Sequence, residues 1–278
     1  TRSFEQGVFQ RSGGTSGRLL VIDQASGLRS ALLDVTRPAR VSVGATLLKD
    51  VYYHVETEST PWLDVSDNRT AVYVRGNPAR TSLAWADREG NIEPIGDEQN
   101  AYRELRLSPD GAKAVVRHGL DFWIHDLVRG TRNPFTLNSA SNTHAFWSRD
   151  GKRIVFGSNR GGNWDIYSQP ADLSRPAELL FKKPYDQFPH SLAPDGTILY
   201  GELQPQNGRD LWTLSPDGNA RPLRMTPFNE GEGRFSPDGA WVAYTADDSG
   251  RREVYVEAYP GGGNRTAVST GGGLLPWW

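Results

Sequence analysis

The sequence predicts an all-β fold: a six-bladed β-propeller of four-stranded blades. Three observations carry this reading. Four short turns, Ser108-Pro-Asp-Gly111, Ser148-Arg-Asp-Gly151, Ala193-Pro-Asp-Gly196 and Ser236-Pro-Asp-Gly239, recur at steps of 40, 45 and 43 residues. A degenerate fifth, Ser66-Asp-Asn-Arg69, stands 42 residues before the first. Strand-like text fills the intervals, and a period in the low forties is the mark of propeller blades. The third observation is the closing segment: Gly273 to Trp278 matches the strand that precedes each turn, and the next turn would fall near residue 279.

Each turn has the chemistry of a tight reversal. Ser or Ala leads, Pro sets φ at the second position in three of the four, Asp bonds locally and Gly closes. A β-rich run follows every turn: Ala71–Val74, Ala114–Val116, Ile154–Phe156, Ile198–Tyr200 and Trp241–Tyr244. Polar hairpin loops such as Ser158–Asn163 and Asp247–Arg251 lead into a third run: Leu83–Trp85, Phe122–Ile124, Trp164–Tyr167, Leu211–Leu214 and Val254–Val256. A shorter fourth strand closes each unit, as in Ala177–Leu180 or Arg265–Val268. Ser215–Gly218 is a turn out of phase, between the third and fourth strands of its blade.

The whole chain, 1–278, reads as one propeller domain with blade units near 61–96, 103–137, 143–181, 188–225 and 231–269. A sixth unit combines 1–35 with 273–278, with Ser3–Phe9, Arg18–Ile22 and Ala31–Leu33 as its later strands. A blade shared by the two ends closes the ring and removes exposed sheet edges. The stretch 36–60 falls outside the phase and is expected to be an insertion. It is either a rim loop that touches a ligand, with Tyr52, Tyr53 and His54 as contacts, or a longer hairpin over the blade ends.

The strand before each turn alternates. One parity is mainly apolar (Leu105/Leu107, Ala145/Trp147) and is expected to pack between blades. The other is richer in charge and aromatic side chains: Trp62, Asp64, Glu104, Arg106, His144, Phe146, Glu232, Arg234 and Trp277. These are the binding candidates at the channel mouth or one rim. The repeated Glu-x-Arg pair, Glu104/Arg106 and Glu232/Arg234, is either a charged mouth that receives a ligand or an internal salt-bridge network. Asp150, Asp195 and Asp238 are expected to bond backbone groups in their turns rather than ligate calcium.

The composition narrows the function classes. Thirty-one basic residues stand against 33 acidic ones, so there is no basic excess for nucleic acid. No apolar window is long enough to span a bilayer, so no direct membrane insertion is expected. Zero cysteines exclude disulfides, thiolate catalysis and Cys-ligated zinc. The opening Thr1-Arg-Ser-Phe-Glu has no start Met and reads as a mature or excised segment. There is no Gly-x-Ser-x-Gly elbow, phosphate loop or His-Glu-x-x-His pair, so no catalytic residue, metal site or cofactor is assigned.

The turns, with Trp147-Ser-Arg-Asp-Gly-Lys-Arg-Ile-Val-Phe156 and Phe235-Ser-Pro-Asp-Gly-Ala-Trp-Val-Ala-Tyr244, resemble the WD-repeat-like repeat of TolB-type propellers. Residues 229–278 are similar to propeller regions of bacterial membrane-bound serine/threonine kinases. The resemblance implies extracytoplasmic or periplasmic binding of another protein or peptide. The expected function is therefore a non-catalytic interaction or scaffold module. One alternative is a channel-centred hydrolase or lyase using His144, Glu104 and Glu232 for acid–base work. The other is the ligand-sensing domain of a larger receptor.

Overall fold

The computed structural model describes residues 16–23, 27–34, 40–48, 63–65, 71–77, 80–86, 92–96, 100–137, 140–206, 208–261 and 265–278. Before residue 92 the side chains it describes are those of Asp64, Val72 and 81–85.

The strands run in chain order as antiparallel meanders. The first are β1 (Ser16–Asp23), β2 (Gly27–Asp34) and β3 (Arg40–Leu48). They are followed by β4 (Leu63–Val65), β5 (Ala71–Asn77), β6 (Arg80–Ala86) and β7 (Ile92–Pro94). Next come β8 (Tyr102–Leu107), β9 (Lys113–His118), β10 (Asp121–Asp126) and β11 (Thr131–Pro134). After them stand β12 (Asn142–Trp147), β13 (Arg153–Ser158), β14 (Asp165–Pro170) and β15 (Glu178–Phe181). The chain continues through β16 (Asp186–Leu192), β17 (Ile198–Gln204), β18 (Gly208–Leu214) and β19 (Ala220–Arg224). The last are β20 (Glu230–Phe235), β21 (Trp241–Ala246), β22 (Glu253–Ala258), β23 (Thr266–Ala267) and β24 (Leu274–Trp277).

Four blades, β8–β11, β12–β15, β16–β19 and β20–β23, are described down to their side chains, not the six expected. Strand pairing also groups β4–β7 and sets β24 beside β1, β2 and β3, but packing within these two sheets is described for only a few side chains. The shared sheet corrects the expected strand frame. β24 pairs directly with β1, and β3 is its outer strand. The stretch 36–60 is therefore not wholly an insertion, because it supplies Arg40–Leu48. The slip is one strand, and its cause is that alternating apolar text occurs on both sides of the true blade. Ser3–Phe9 lies outside the described residues.

Contacts divide the chain into two compact units. One holds β4 to β15 and the start of β16; the other holds β1 to β3, the rest of β16 and β17 to β24. In the first, Leu105, Val116, Val72 and Leu83 form one buried cluster, and Phe122, Ile154, Phe156 and Trp147 form another. In the second, Leu199, Leu211, Val242 and Tyr244 are packed at the centre. Residues of this size contribute about 1.5–3 kcal/mol each when fully buried.

The recurring turns hold their shape locally, as expected from their residues. Gly111 N–H donates to the Ser108 carbonyl at 2.8 Å, and Asp110 Oδ1 accepts from Ser108 Oγ (2.6 Å) and Ala112 N–H (3.0 Å). Asp150 and Asp238 repeat this pattern, and Asp195 accepts from Thr197 N–H at 2.9 Å. The hydroxyl bonds hold the Asp110 and Asp150 carboxyls below the usual carboxylate value. The turns also touch each other. Gly239 has φ of 72°, and a Cβ placed on it would stand 2.8 Å from Cδ of Pro194 in the preceding blade's turn.

The inner strands depart from strict alternation. In β12, Thr143 pairs with Gly157 but Phe146 pairs with Val155, so two residues, His144 and Ala145, face one. The same bulge falls between Tyr102 and Leu105 in β8 and between Gly231 and Arg234 in β20. His144, Glu232 and Leu275, at equivalent positions, adopt φ of 54°, 55° and 50°. A two-residue parity read across these points is broken by the bulge, which re-aims the side chains beside it. All six residues of β12 are buried, so there the polar parity is as enclosed as the apolar one.

Candidate functional site: lacing of the inner strands

The polar side chains of the inner strands act on the main chain of the next blade. In the first unit, Asp64 accepts from Leu107 N–H. Glu104 Oε2 accepts from His144 N–H at 2.7 Å. In the second unit, Glu232 Oε2 accepts from Leu275 N–H at 2.9 Å. His190 Nδ1 accepts from Gly233 N–H (3.3 Å), and Ser191 Oγ from Phe235 N–H (3.0 Å). Each bond spans one repeat, 40 to 44 residues. Two indoles lace in the opposite direction. Trp147 Nε1–H donates to the Arg106 carbonyl at 3.0 Å, and Trp278 Nε1–H to the Arg234 carbonyl at 2.9 Å.

For three of these N–H groups, those of His144, Gly233 and Leu275, the bulge explains why an acceptor is needed. Two residues facing one leave main-chain N–H groups without a ladder partner, and a buried orphan of that kind costs about 1–3 kcal/mol. For His144 and Leu275 a carboxylate from the neighbouring blade satisfies it with a charge-assisted bond.

The two Glu-x-Arg pairs reach different ends. Glu104 and Arg106 are 0% and 4% exposed. Burial raises the Glu104 carboxyl above its ordinary value, opposed by Arg106, Arg117 and the His144 N–H. The Arg106 guanidinium turns back to the Leu105 carbonyl (2.7 Å) and stands 3.8 Å from Glu104. Arg117, also buried, donates to Thr143 Oγ1 and Ser141 Oγ at 3.3 Å each. In the second unit, Glu232 pairs with Arg252 at 3.6 Å. The Arg234 guanidinium instead stands over the Trp277 ring, 4.6 Å from its centroid, and both residues are half-buried.

Of the other candidates, His144 lies 5.4 Å from the Phe188 ring, which in turn meets Trp164 at 5.6 Å. Phe146 is buried. Trp62, Tyr52, Tyr53 and His54 lie outside the described residues. The structure thus joins Glu104 to Arg106 and His144, and Arg234 to Trp277.

Arg252, Arg117, Trp147 and Trp278 belong to this lacing but were not candidates. A signal existed for Arg252: it stands 16 residues past Ser236, as Arg209 stands 16 past Ala193, so a cation recurs at the head of the third strand. Among the described residues, no group of three or more His, Cys, Asp or Glu side chains is placed to hold a metal ion. No helix there is long and apolar enough to cross a membrane.

No family model matches the sequence. An uncharacterized protein of Agrobacterium fabrum is 26% identical over 150 residues, 51% of this chain and 50% of that protein. The chain thus spans about half the length of that relative. Among solved structures, TolB from Acinetobacter baumannii superposes with a TM-score of 0.72 at 18% identity, over 94% of this chain and 66% of that one. A putative TolB from Agrobacterium tumefaciens gives 0.58 at 18% identity, over 65% of this chain and 66% of that one. An oligogalacturonate lyase in complex with manganese gives 0.65 at 16%, over 94% and 90%. These likenesses show the fold: an all-β propeller with four-stranded blades, of the kind seen in TolB.

Proposed function

We propose that this chain is a non-catalytic propeller that binds another protein or peptide through its inner-strand surface and the adjoining rim, outside the cytoplasm. One observation carries the reading. The carboxylates that acid–base chemistry would need, Glu104 and Glu232, are hydrogen-bonded to the main chain of the neighbouring blade. Among the inner-strand candidates, the half-buried Arg234 stands over the half-buried Trp277 ring, and Trp and Arg are the residue types that dominate protein contacts. The likeness to TolB supports the extracytoplasmic address, and the resemblance of 229–278 to kinase-attached propellers belongs to the same proposal. So does a count of six blades, supported by the pairing of β4–β7 and by β24 beside β1.

The test is site-specific photo-crosslinking in the native host. A photoreactive residue at position 277 is expected to give a defined adduct with another polypeptide, while one at Leu179, exposed on the outer strand β15, gives none. No adduct from 277, or the same adducts from both positions, overturns the reading.

A further inference from the structure

We propose that the Asp165 carboxylate and the Tyr167 hydroxyl, at the head of β14, bind two neighbouring hydroxyls of a neutral sugar. This site lies within the first unit and is independent of the partner-binding reading above. A difference between blades points to it. β10, β14 and β22 each open on an acidic residue: Asp121, Asp165 and Glu253. In two of them a hydroxyl from just beyond the fourth strand closes on that carboxylate. Thr136 Oγ1, 15 residues on, donates to Asp121 Oδ1 at 2.8 Å and accepts the Phe122 N–H at 2.9 Å. Ser269 Oγ, 16 residues on, donates to Glu253 Oε2 and accepts the Val254 N–H at 2.8 Å. The same steps from Asp165 reach Leu180 and Phe181, which carry no hydroxyl. Asp165 is 5% exposed and Tyr167 8%, and among the described residues neither the carboxylate nor the phenol has a hydrogen-bond partner. Neither belongs to the polar atoms sealed from solvent, so a ligand can reach both. Buried polar groups are nearly always bonded, and such an exception calls for a partner from outside. Asp210, their counterpart in β18, is by contrast fully enclosed.

The two groups stand side by side. They leave the same face of β14, and a Cβ placed on Gly161 would be 3.2 Å from Asp165 Oδ2 and 3.3 Å from Tyr167 Oη. Gly161 is exposed and its φ is not positive, so the missing side chain, rather than a special backbone, keeps this corner open. Charge selects the character of the ligand. Arg160 stands over the Tyr167 ring, 4.6 Å from its centroid, and Lys182 acts on the Asp165 charge, which disfavours a cation. Asp165 and Asp186 together disfavour an anion. A neutral hydroxyl suits both conditions. One donates to the carboxylate, as Thr136 does to Asp121, and its neighbour bonds the Tyr167 phenol, which burial pushes up and so keeps as a donor. The vicinal pair of a sugar supplies both hydroxyls at once, whereas a Ser or Thr side chain supplies one.

The test uses the whole chain and the methyl glycosides of glucose, galactose and mannose, titrated by saturation-transfer NMR. At least one is expected to bind with a Kd on the order of millimolar, while its permethylated form, which has no O–H, does not. Asp165→Asn is expected to weaken binding by about tenfold or more, and Tyr167→Phe by about threefold or more. Gly161→Ala keeps every charge, fills the corner with a methyl group and is expected to abolish the signal; its exposed position also serves should Asp165→Asn lose its fold. Asp172→Asn removes the same charge from an exposed loop and is expected to leave binding within about twofold. The proposal is overturned if no glycoside binds, which leaves water as the partner of both groups, or if the permethylated form binds alike. It is equally overturned if Gly161→Ala binds as the wild type does, or if Asp172→Asn weakens binding as much as Asp165→Asn. Capped hexaserine is the remaining probe. Should it bind through Asp165 where the glycosides do not, the ligand is a polypeptide and the sugar site is removed.

Discussion

The carboxylate of Glu104 accepts the main-chain N–H of His144 in the next blade at 2.7 Å. His144 sits at φ 54°, a conformation that L residues adopt at a cost, on the two-for-one bulge of β12. The bond therefore has two effects: it satisfies an N–H that the bulge takes out of the ladder, and it helps to hold a strained backbone. Glu232 and Leu275 (φ 50°) repeat the arrangement 43 residues apart.

Glu104→Ala is expected to destabilise the fold by roughly 3–5 kcal/mol, the cost of leaving buried charge without its partner. Arg106 and Arg117 would lose the carboxylate between them, and the His144 N–H would lose its acceptor. Glu104→Gln keeps an acceptor oxygen and is expected to cost less. Chemical denaturation of the two variants measures the difference; equal losses would show that the charge has no part in it.

How much of this was legible in the sequence follows from how local each interaction is. The Ser-Pro-Asp-Gly turns were readable because every bond in them joins residues within five positions. The Glu-x-Arg pairs were visible as pairs, but their partners are main-chain N–H groups one repeat away, which carry no side-chain signature. The bulges were hidden for a related reason. His144, Glu232 and Leu275 hold positive φ where Gly or Asn would have announced it. The first blade slipped by one strand because Arg40–Leu48 alternates no differently from its neighbours, and only its pairing with β2 singles it out. That Arg234 lies on Trp277 depends on two strands 43 residues apart being adjacent.

Trp147→Phe and Trp278→Phe are each expected to cost about 1–3 kcal/mol. Each leaves a carbonyl, of Arg106 or Arg234, without its indole donor, in addition to the lost ring area. Thermal melts followed by circular dichroism test this. A melting temperature unchanged in both variants would show that the indole bonds contribute nothing.

Gly239→Ala and Gly250→Ala separate backbone strain from crowding. Both glycines have positive φ, 72° and 87°. Nothing stands within 4 Å of a Cβ at Gly250, so that variant is expected to lose about 1–2 kcal/mol from conformation alone. At Gly239 the new methyl would meet Cδ of Pro194 at 2.8 Å, a ring that has no rotamer to escape into. Urea denaturation is expected to show the larger loss for Gly239→Ala, and equal losses would remove the turn-on-turn contact from the account.

Asp210 provides a pH test. It lies directly across from Glu202 in the β17–β18 pairing, and the two are 0% and 2% exposed. Burial first, then the Glu202 charge, push the Asp210 carboxyl above its ordinary value. The folded state therefore holds this proton more tightly than the unfolded chain does. Stability from this group is complete below the ordinary value near pH 4, declines as pH rises through the raised folded value, and stays lower beyond it, by about 1.4 kcal/mol per unit of displacement. Asn mimics the protonated side chain at every pH. Asp210→Asn is thus expected to melt close to the wild type near pH 4 and above it at neutral pH. Glu230, raised by burial and in part by the Asp210 charge, shifts the difference in the same direction when that charge is removed. Calorimetric melts between pH 4 and 7 decide the matter: a gap that does not widen with pH, or an Asn variant less stable at neutral pH, means that Asp210 carries no such strain.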